Sequence, residues 1–349
     1  MVNSVVAIDV GSGTQDILLY DPEKEMENNI KMILPSQTQI ISNKIERATE
    51  MGKDIFLCGN VMGGGASTKA VKKHLEKGLR VFSTKKAAYT MKDNLDRVRK
   101  YGVNITDQPP KEALKISLND IDLLSLSKAF SCFDIELPVN FAIAVQDHGF
   151  SPVESNRRFR FKHWERFLEE GGDIKKLVYN KAAVPEYFSR MITIRDYLTE
   201  QGGEVFLMDT GAAAILGALE DTTVEKEYDK KGCLLLNVGN QHTIAFLLRD
   251  EKVYGVFEHH TGALSPKSLE YYLEKFRRCE LTNEEVYNNK GHGCKILPGA
   301  REFNWDFSAV TGPRRNLARD VGYLAVPHGD MMLSGCFGLI RGIKMVEEG

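Results

Sequence analysis

Apolar residues occur in short runs separated by polar turns, and two stretches of the chain repeat this pattern closely. Residues 5–21 and 233–250 each contain an apolar run, a turn of small or polar residues and a second apolar run. Such runs predict buried strands, and a short connection that contains glycine predicts a β-hairpin. A shift of 228 residues places Gly11 on Gly239. The repeat therefore predicts two halves with the same opening unit, and not a solenoid of many short repeats.

Between and after the hairpins, the pattern predicts strands that alternate with helices, which is typical of α/β proteins. The further predicted strands cover residues 55–58, 81–82, 141–145, 205–208 and 331–333. The predicted helices cover residues 67–76, 85–101, 117–130, 155–170, 181–200, 265–278, 283–288 and 337 to the end.

The domain organisation follows from the repeat and from the absence of a long Pro/Ser-rich linker in the sequence. We predict a first lobe at 1–225 with an insert at about 55–135, and a second lobe at 226–349. The C-terminal helix could pack back on the first lobe. The lobes are expected to be in close contact.

Composition narrows the function classes. The 349 residues include 46 Lys+Arg and 48 Asp+Glu, so the net charge is −2, and 42% of residues are hydrophobic. This is ordinary globular usage without the basic excess of a nucleic-acid binder. We interpret the basic cluster at 157–162 as a solvated surface. The sequence begins without the features of a signal peptide and has no long apolar span, so we expect a cytoplasmic protein with no membrane or nucleic-acid partner.

The six cysteines are widely spaced. The closest two, Cys279 and Cys294, are 15 positions apart, and no CxxC pair occurs. This spacing argues against a structural zinc site or an iron–sulfur cluster built on a local motif. It also favours a reducing compartment.

The first hairpin turn carries residues suited to phosphate binding. Backbone N–H groups of a tight glycine turn can approach an anion, and the Ser12 and Thr14 hydroxyls add donors. Asp9, at the end of the preceding strand, is suited to a hydrated Mg²⁺. A Rossmann turn is excluded because Asp16 occupies the third glycine position and the turn leads into a strand. No Walker GK[ST] triplet occurs.

The order of these motifs resembles the actin-like ATPase superfamily, which includes actin, chaperone ATPase domains, and sugar and acetate kinases. Residues 9–19 look like its first phosphate motif and 237–247 like its second. Residues 209–218 resemble the helix that connects the lobes, and 329–338 resemble the adenosine motif. Residues 141–147 are similar to the strand before the connecting segment. The chain also resembles a small prokaryotic family of this superfamily in which some members carry a pyruvate-formate-lyase-activating label, which the cysteine spacing argues against.

The resemblance implies a two-lobed actin-like (ribonuclease H-like) α/β fold, with ATP and Mg²⁺ in the cleft between the lobes. It implies that Asp9 faces the hydrated metal and that Asp209 orients an attacking water. Asp147 is a rival for that role or for the base that acts on a substrate hydroxyl. The implied nucleotide-binding residues are Gly11, Ser12, Gly13, Thr14, Asn237, Gly239, Asn240, Gln241, Gly335 and Gly338.

The second phosphate motif departs from the family. It opens with Asn237 where the family usually has Asp, and an amide cannot supply a second negative charge near Mg²⁺ or accept a proton. We therefore keep open whether the site is catalytically competent.

Three further features have two interpretations each. The glycine-rich loop at 62–69 precedes a helix and could bind an anionic second substrate, or it could be a capped loop. The turn at 311–315 could reach a phosphate or form surface ion pairs. A metal site built from the histidines would need residues distant in sequence to converge, so we expect ordinary hydrogen-bonded histidines.

We carry three hypotheses forward. The first is an ATP/Mg-binding phosphotransferase or ATPase, either a kinase of an unknown small molecule or an ATP-driven activator of another enzyme. The second is a non-catalytic nucleotide-binding regulatory module, which Asn237 motivates. The third is an unrelated α/β protein whose glycine turns are structural. Homodimerisation is an open alternative for the assembly.

Overall fold

The computed structural model describes residues 3–348. The strands are β1 (Val5–Val10), β2 (Thr14–Tyr20), β3 (Ile30–Pro35), β4 (Ile55–Gly59), β5 (Val81–Ser83), β6 (Val103–Ile105), β7 (Leu114–Leu118), β8 (Asn140–Val145), β9 (Tyr179–Asn180), β10 (Val205–Met208), β11 (Cys233–Val238), β12 (His242–Arg249), β13 (Lys252–His260), β14 (Gly293–Ile296), β15 (Ser308–Thr311) and β16 (Tyr323–Leu324).

The helices are α1 (Gln37–Glu50), α2 (Gly65–Glu76), α3 (Lys85–Ala88), α4 (Leu95–Lys100), α5 (Leu123–Ser131), α6 (Asn156–Glu169), α7 (Ser189–Thr199), α8 (Thr210–Ala218), α9 (Thr222–Lys231), α10 (Pro266–Arg277), α11 (Asn283–Asn288) and α12 (Ser334–Glu347). Within residues 3–348, no helix is both long and apolar enough to cross a membrane.

Five strands of each six-stranded sheet follow the same order, while the sixth strand, β9 in one sheet and β14 in the other, lies at a different edge. The first sheet runs β3-β2-β1-β8-β10-β9, and the second sheet runs β14-β13-β12-β11-β15-β16. In each, an antiparallel meander of three strands is followed by two strands parallel to the first strand of the meander. When only these five strands of each sheet are numbered along the chain, their order across the sheet is third, second, first, fourth, fifth. This duplication confirms the predicted two-lobed, actin-like α/β fold.

A third sheet belongs to the insert of the first lobe. Its order is β6-β5-β4-β7, with all pairs parallel. It has its own core, which includes Ile41, Ile55, Val71 and Ile116. The core also takes in residues of α1, so this compact unit includes a helix that precedes the predicted insert.

The two lobes are joined by a continuous apolar core. One cluster contains Ala7 of β1, Trp164 of α6, Phe246 of β12 and Phe337 of α12. The helix α12 packs closely on α8 and also contacts β1 and β8 of the first sheet. The predicted lobe boundary at 225/226 falls within α9.

Four element predictions are wrong, and local hydrogen bonds or packing explain them. The predicted helix at 117–130 is split because β7 pairs with β4, while α5 starts after Asp122, whose side chain accepts the Ser125 N–H. The predicted helix at 85–101 is broken where the Asn94 side chain caps α4.

The helix predicted at 181–200 begins at Ser189, where the Asp147 carboxylate accepts the next two N–H groups of the chain. The strand predicted at 331–333 is a 3-10 turn, because the Asp330 side chain accepts the Met332 N–H and closes it. The helices at 155–170, 265–278 and 283–288 are present within one or two residues of the prediction.

Candidate nucleotide and cation site

A deep cleft lies where the two hairpins, the insert and the carboxyl ends of β8 and β10 meet. Its lining includes most of the predicted site residues: Asp9, Gly11, Ser12, Thr14, Asp147, Asp209, Asn237, Gly239, Asn240, Gln241 and Gly335. Gly13 lies in the first hairpin turn beside Asn240. The structure therefore brings residues more than 200 positions apart to one cleft.

The two hairpin turns face each other across the cleft. A Cβ atom added at Gly13 would lie 3.0 Å from Nδ2 of Asn240, in the opposite turn. Both turns are closed in the same way, since the Gly11 N–H donates to the Thr14 carbonyl and the Gly239 N–H donates to the His242 carbonyl, each at 2.9 Å. This places the backbone of one turn against a side chain of the other, and residues of both turns line the cleft.

Two buried carboxylates lie at the base of the first hairpin. Asp9 and Asp16 are paired residues of β1 and β2 and both line the cleft. Asp9 Oδ1 accepts the Thr210 hydroxyl at 2.5 Å, whereas Asp16 Oδ1 is buried without a hydrogen-bond partner. Burial, together with the Asp16 charge, raises the pKa of Asp9 to about 8, and burial raises the pKa of Asp16 to about 7.

An orphaned carboxylate oxygen beside a second carboxylate is the arrangement that a bound cation stabilises. Oxygen donors also match the preference of Mg²⁺. The residues present therefore fit the predicted magnesium, and they include Asp16, which the sequence analysis treated only as a break in a glycine motif.

The second hairpin has no such carboxylate pair. Asn237 occupies in β11 the place that Asp9 occupies in β1, and its partner across the hairpin is Ile244 where the first hairpin has Asp16. Asn237 is buried, and a side chain at Gly312 would collide with its Oδ1. The second lobe thus offers hydrogen-bonding groups but no negative charge at this position.

Asp209 is held by a buried ionic network at the head of α8. Its Oδ1 accepts the Gly211 N–H at 2.9 Å, and its Oδ2 accepts Nη1 of Arg160 at 2.9 Å. Arg160 also donates through Nε to both oxygens of Glu258, at 2.7 and 3.0 Å. Arg160 is 3% exposed and Glu258 is fully buried. Burial alone would raise the pKa of Glu258, but the guanidinium and neighbouring imidazoles hold it well below its usual value.

Asp147 has both carboxylate oxygens occupied by backbone. Oδ1 accepts the Gly149 N–H at 2.8 Å, and Oδ2 accepts the N–H groups of Arg190 and Met191 at 2.8 and 3.0 Å. This arrangement positions the start of α7, and burial raises the pKa of Asp147. The role of Asp147 as a base or as the group that orients water stays a prediction.

The two glycines of the predicted adenosine motif have different surroundings. Gly335 lines the cleft, and a side chain there would collide with the Asp9 carboxylate. Gly338 is not among the cleft-lining residues, and a side chain there would collide with the Ala213 carbonyl in α8. Its role is close helix packing between α12 and α8, so the structure does not support the predicted adenosine contact for Gly338.

The other two loops singled out in the sequence also reach the cleft. Gly63, Gly64 and Gly65 line it, and a Cβ atom at Gly65 would lie 3.2 Å from Nε2 of Gln241. In the turn at 311–315, Gly312 and Pro313 line the cleft. Arg315 instead donates to the Ala325 carbonyl at 2.7 Å.

The expectation of ordinary hydrogen-bonded histidines is wrong for one group. His148, His242 and His292 converge with one ring nitrogen from each lying within 4.8 Å of the others. The side-chain nitrogens of His292 have no hydrogen-bond partner. His148 follows β8, His242 begins β12 and His292 precedes β14, so the topology of two lobes creates a convergence that sequence spacing could not show.

Arg160 and Glu258 were missed by the sequence analysis. In α6, Arg160 lies on the same buried face as Phe161, Trp164 and Phe167. A charged residue within such an apolar stripe is a signal that it has a buried partner, and this signal was masked by reading 157–162 as one solvated cluster. Glu258 lies in a run of five buried strand residues, from 255 to 259, and carries the same signal.

The fold and cleft define a two-lobed, actin-like α/β protein with facing glycine turns. Among solved structures, the ethanolamine utilization protein EutJ from Carboxydothermus hydrogenoformans aligns at 10% identity over 96% of this chain and 88% of that chain, with a TM-score of 0.33. The PilM-PilN type IV pilus biogenesis complex aligns at 13% identity over 97% and 98%, with a TM-score of 0.36. The Aquifex aeolicus PPX-GPPA enzyme aligns at 10% over 98% and 91%, with a TM-score of 0.24.

The fold assignment comes from the duplicated strand order. No curated protein matches this chain. The chain belongs to the family described as "Putative pyruvate format-lyase activating enzyme (DUF1786)", whose model matches residues 62–317.

Proposed function

We propose that this protein binds Mg-ATP in the cleft between its lobes and acts as a phosphotransferase or ATPase. The observation that carries the proposal is the pair of facing glycine turns with the orphaned Asp16 carboxylate at the base of one of them. Two sets of backbone donors and a cation site within one cleft suit a phosphate chain. Magnesium, when bound, would neutralise phosphate charge.

Residues of both lobes would contribute to binding the cation and the phosphates. Asp9 and Asp16 would hold the hydrated cation, and the turn from Gly11 to Thr14 would donate to the terminal phosphates. The turn from Gly239 to Gln241 would donate from the other side. Gly335 would leave room for the Asp9 carboxylate, with which a side chain there would collide, and its contact with adenosine stays a prediction.

Asp209 would orient the attacking water or substrate hydroxyl. Its position at the head of α8, in the lining of the cleft, supports this role. The Arg160 guanidinium fixes one of its oxygens at 2.9 Å, so the carboxylate is held in one orientation. A carboxylate held in this way positions a nucleophile better than it accepts a proton.

A non-catalytic nucleotide-binding module is the second candidate. Two observations favour it: Asn237 and Ile244 replace the acid pair in the second hairpin, and Arg160 already neutralises Asp209. Under this alternative the cleft would bind nucleotide and change lobe geometry without hydrolysis.

The acceptor is either a small molecule or another enzyme that the protein activates by using ATP. The family description names an activating enzyme, but the cysteine spacing argues against the iron–sulfur chemistry of that label, so the description does not decide between the two. We keep the cytoplasmic location and the homodimer as predictions.

Thermal unfolding with Mg-ATP, Mg-ADP or no nucleotide tests the proposal. Ligand at 100 times Kd stabilises by about 2.7 kcal/mol, which is several degrees for a chain of this size. Asp9→Asn should lose this shift while unfolding in buffer at the same temperature or higher, because burial already disfavours the charged form of Asp9 and an amide oxygen can still accept the Thr210 hydroxyl. The exposed substitution Asp229→Asn in α9 is the matched control and should keep the shift.

Phosphate release then separates the two candidates. Hydrolysis by the wild type that is lost in Asp9→Asn supports an ATPase or phosphotransferase. A full nucleotide shift without any turnover, tested with candidate acceptors present, supports the binding module. The absence of a shift with either nucleotide would overturn both.

A further inference from the structure

The strongest feature outside the proposed nucleotide site is the histidine group in the cleft wall. His148 and His242 line the cleft, while His292 lies behind them with an exposed fraction of 1%. The ring centroids are 5.4 Å apart for His148 and His242, and 4.7 Å apart for His242 and His292. One nitrogen from each ring lies within 4.8 Å of the other two.

These three rings do not form hydrogen bonds with one another. Across residues 3–348, no hydrogen bond joins any two of the three, and both ring nitrogens of His292 are buried without a partner. Leaving a buried polar nitrogen unpaired costs stability. In a neutral imidazole one nitrogen carries a lone pair and the other an N–H, so an occupant that accepts a lone pair would satisfy one of the two nitrogens of His292.

Two of the imidazoles, those of His148 and His292, are held in the form that binds a metal. Burial lowers the pKa of His292 to about 3, and it lowers the pKa of His148 well below its usual value. Both rings are therefore neutral at physiological pH, with a lone pair available on each.

The surroundings place a carboxylate beside one of the three imidazoles, that of His242. Nδ1 of His242 lies 2.8 Å from Nε2 of Gln146 and 3.4 Å from Oε1 of Glu258. A carboxylate behind a ligating imidazole fixes its orientation and raises its basicity. With one guanidinium against the two carboxylates of Glu258 and Asp209, the neighbouring ionic network carries one net negative charge.

The third ligand is carried by an anchored loop. The His292 N–H donates to the Glu258 carbonyl at 2.9 Å, and Nη1 of Arg157 donates to the Gly291 carbonyl at 2.9 Å. The loop is thus fixed on the strand that holds Glu258. Metal–imidazole bonds of about 2.0–2.1 Å hold ligand nitrogens roughly 3.3 Å apart, so small ring rotations from the present separations close the site.

We propose that His148, His242 and His292 bind a divalent transition metal in the wall of the cleft, with an open coordination position on the cleft side. Three imidazoles suit Zn²⁺ and related ions, whereas Mg²⁺ prefers oxygen ligands. The site is therefore chemically distinct from the Asp9–Asp16 pair. Three protein ligands and a fourth open position are typical of metal sites that hold a water or a substrate oxygen.

The site also connects the lobes. His148 comes from the first lobe, and His242 and His292 come from the second. A bound metal would couple the lobes at the edge of the phosphate region, and its open position would take an anionic oxygen of a second substrate.

The test uses the purified full chain, freed of metal by a chelator and titrated with Zn²⁺ against a chromophoric chelator, without nucleotide. The wild type should bind one equivalent. His148→Asn and His292→Asn should each weaken binding by at least about 100-fold, since even loss of an outer contact costs 10–100-fold. His328→Asn is the control, because His328 pairs with Glu220 outside the cluster, and it should bind as the wild type does.

X-ray absorption on the zinc-loaded wild type keeps the test decisive if a variant fails to fold. Three imidazole ligands support the site. Fewer than three, no binding by the wild type, or equal binding by folded His148→Asn and wild type would overturn it. Because no nucleotide is present, these results do not depend on whether the protein binds ATP.

Discussion

The two hairpins share a scaffold but differ in their chemistry. In the first, Asp9 and Asp16 are paired across the strands, and in the second Asn237 and Ile244 occupy the same positions. The second hairpin instead begins its outgoing strand with His242, which belongs to the histidine group. The two lobes therefore share the backbone of the hairpin, while the pair of acidic side chains occurs only in the first lobe. In the proposed sites, the first lobe would supply the oxygen ligands, and the second lobe would supply two of the three imidazoles.

The ionic network that joins the lobes should give the largest effect when it is broken. Arg160→Met leaves the buried carboxylates of Asp209 and Glu258 without their common partner. We expect the free energy of unfolding to fall by about 3–5 kcal/mol, as measured by chemical denaturation. Arg160 belongs to the first lobe and Glu258 to the second, so the loss measures their electrostatic connection.

Two variants sharpen that measurement. Arg158→Met, on the exposed side of the same helix, should change stability by less than about 1 kcal/mol. The double variant Arg160→Met/Glu258→Gln should recover part of the loss, because it removes one of the uncompensated charges. If Arg160→Met is as stable as Arg158→Met, the network does not hold the lobes together.

Making the first hairpin resemble the second is the next test. Asp16→Asn removes the orphaned carboxylate and should raise the free energy of unfolding without ligand by about 1–3 kcal/mol. The same change should weaken Mg-ATP binding by about 10-fold or more, measured by calorimetry. A gain in stability together with a loss of binding identifies a residue kept for a cation. A loss of both would mean that Asp16 is structural.

The reverse exchange should have the smallest effect. Asn237→Asp places an acid at the position that corresponds to Asp9 of the first hairpin, and two charges about 4 Å apart in water interact by about 1 kcal/mol. We expect the Mg²⁺ concentration for half-maximal ATP binding to fall by roughly 5-fold. No change in that concentration would show that the second hairpin is remote from the cation.

Much of the fold could be predicted because apolar runs and glycine turns are local signals. The strand–turn–strand units that open the two halves, and the helix that begins after Asp209, depend on residues that are adjacent in sequence. The errors arose where a distant partner decides the structure. Residues 114–118 form a strand because β4 lies beside them, and α7 starts at Ser189 because the distant Asp147 accepts the N–H groups of its first turn.

The site was predictable to the same extent. Asp9, Asn237 and the two glycine turns follow from local motifs and their order. The histidine group and the Arg160–Glu258 pair could not be predicted, because each joins elements from both lobes. Gly338 shows the opposite case: its motif was visible, but the crossing of α12 and α8 explains the glycine without a ligand.

The central claim is that the carboxylates of the first hairpin, and not the second hairpin, hold the cation that accompanies the nucleotide. Calorimetric titration of ATP with and without Mg²⁺ tests it most directly, with the wild type, Asp9→Asn and Asn237→Ala. We predict that Mg²⁺ tightens ATP binding in the wild type and in Asn237→Ala but not in Asp9→Asn. Equal tightening by Mg²⁺ in Asp9→Asn and the wild type would contradict the claim.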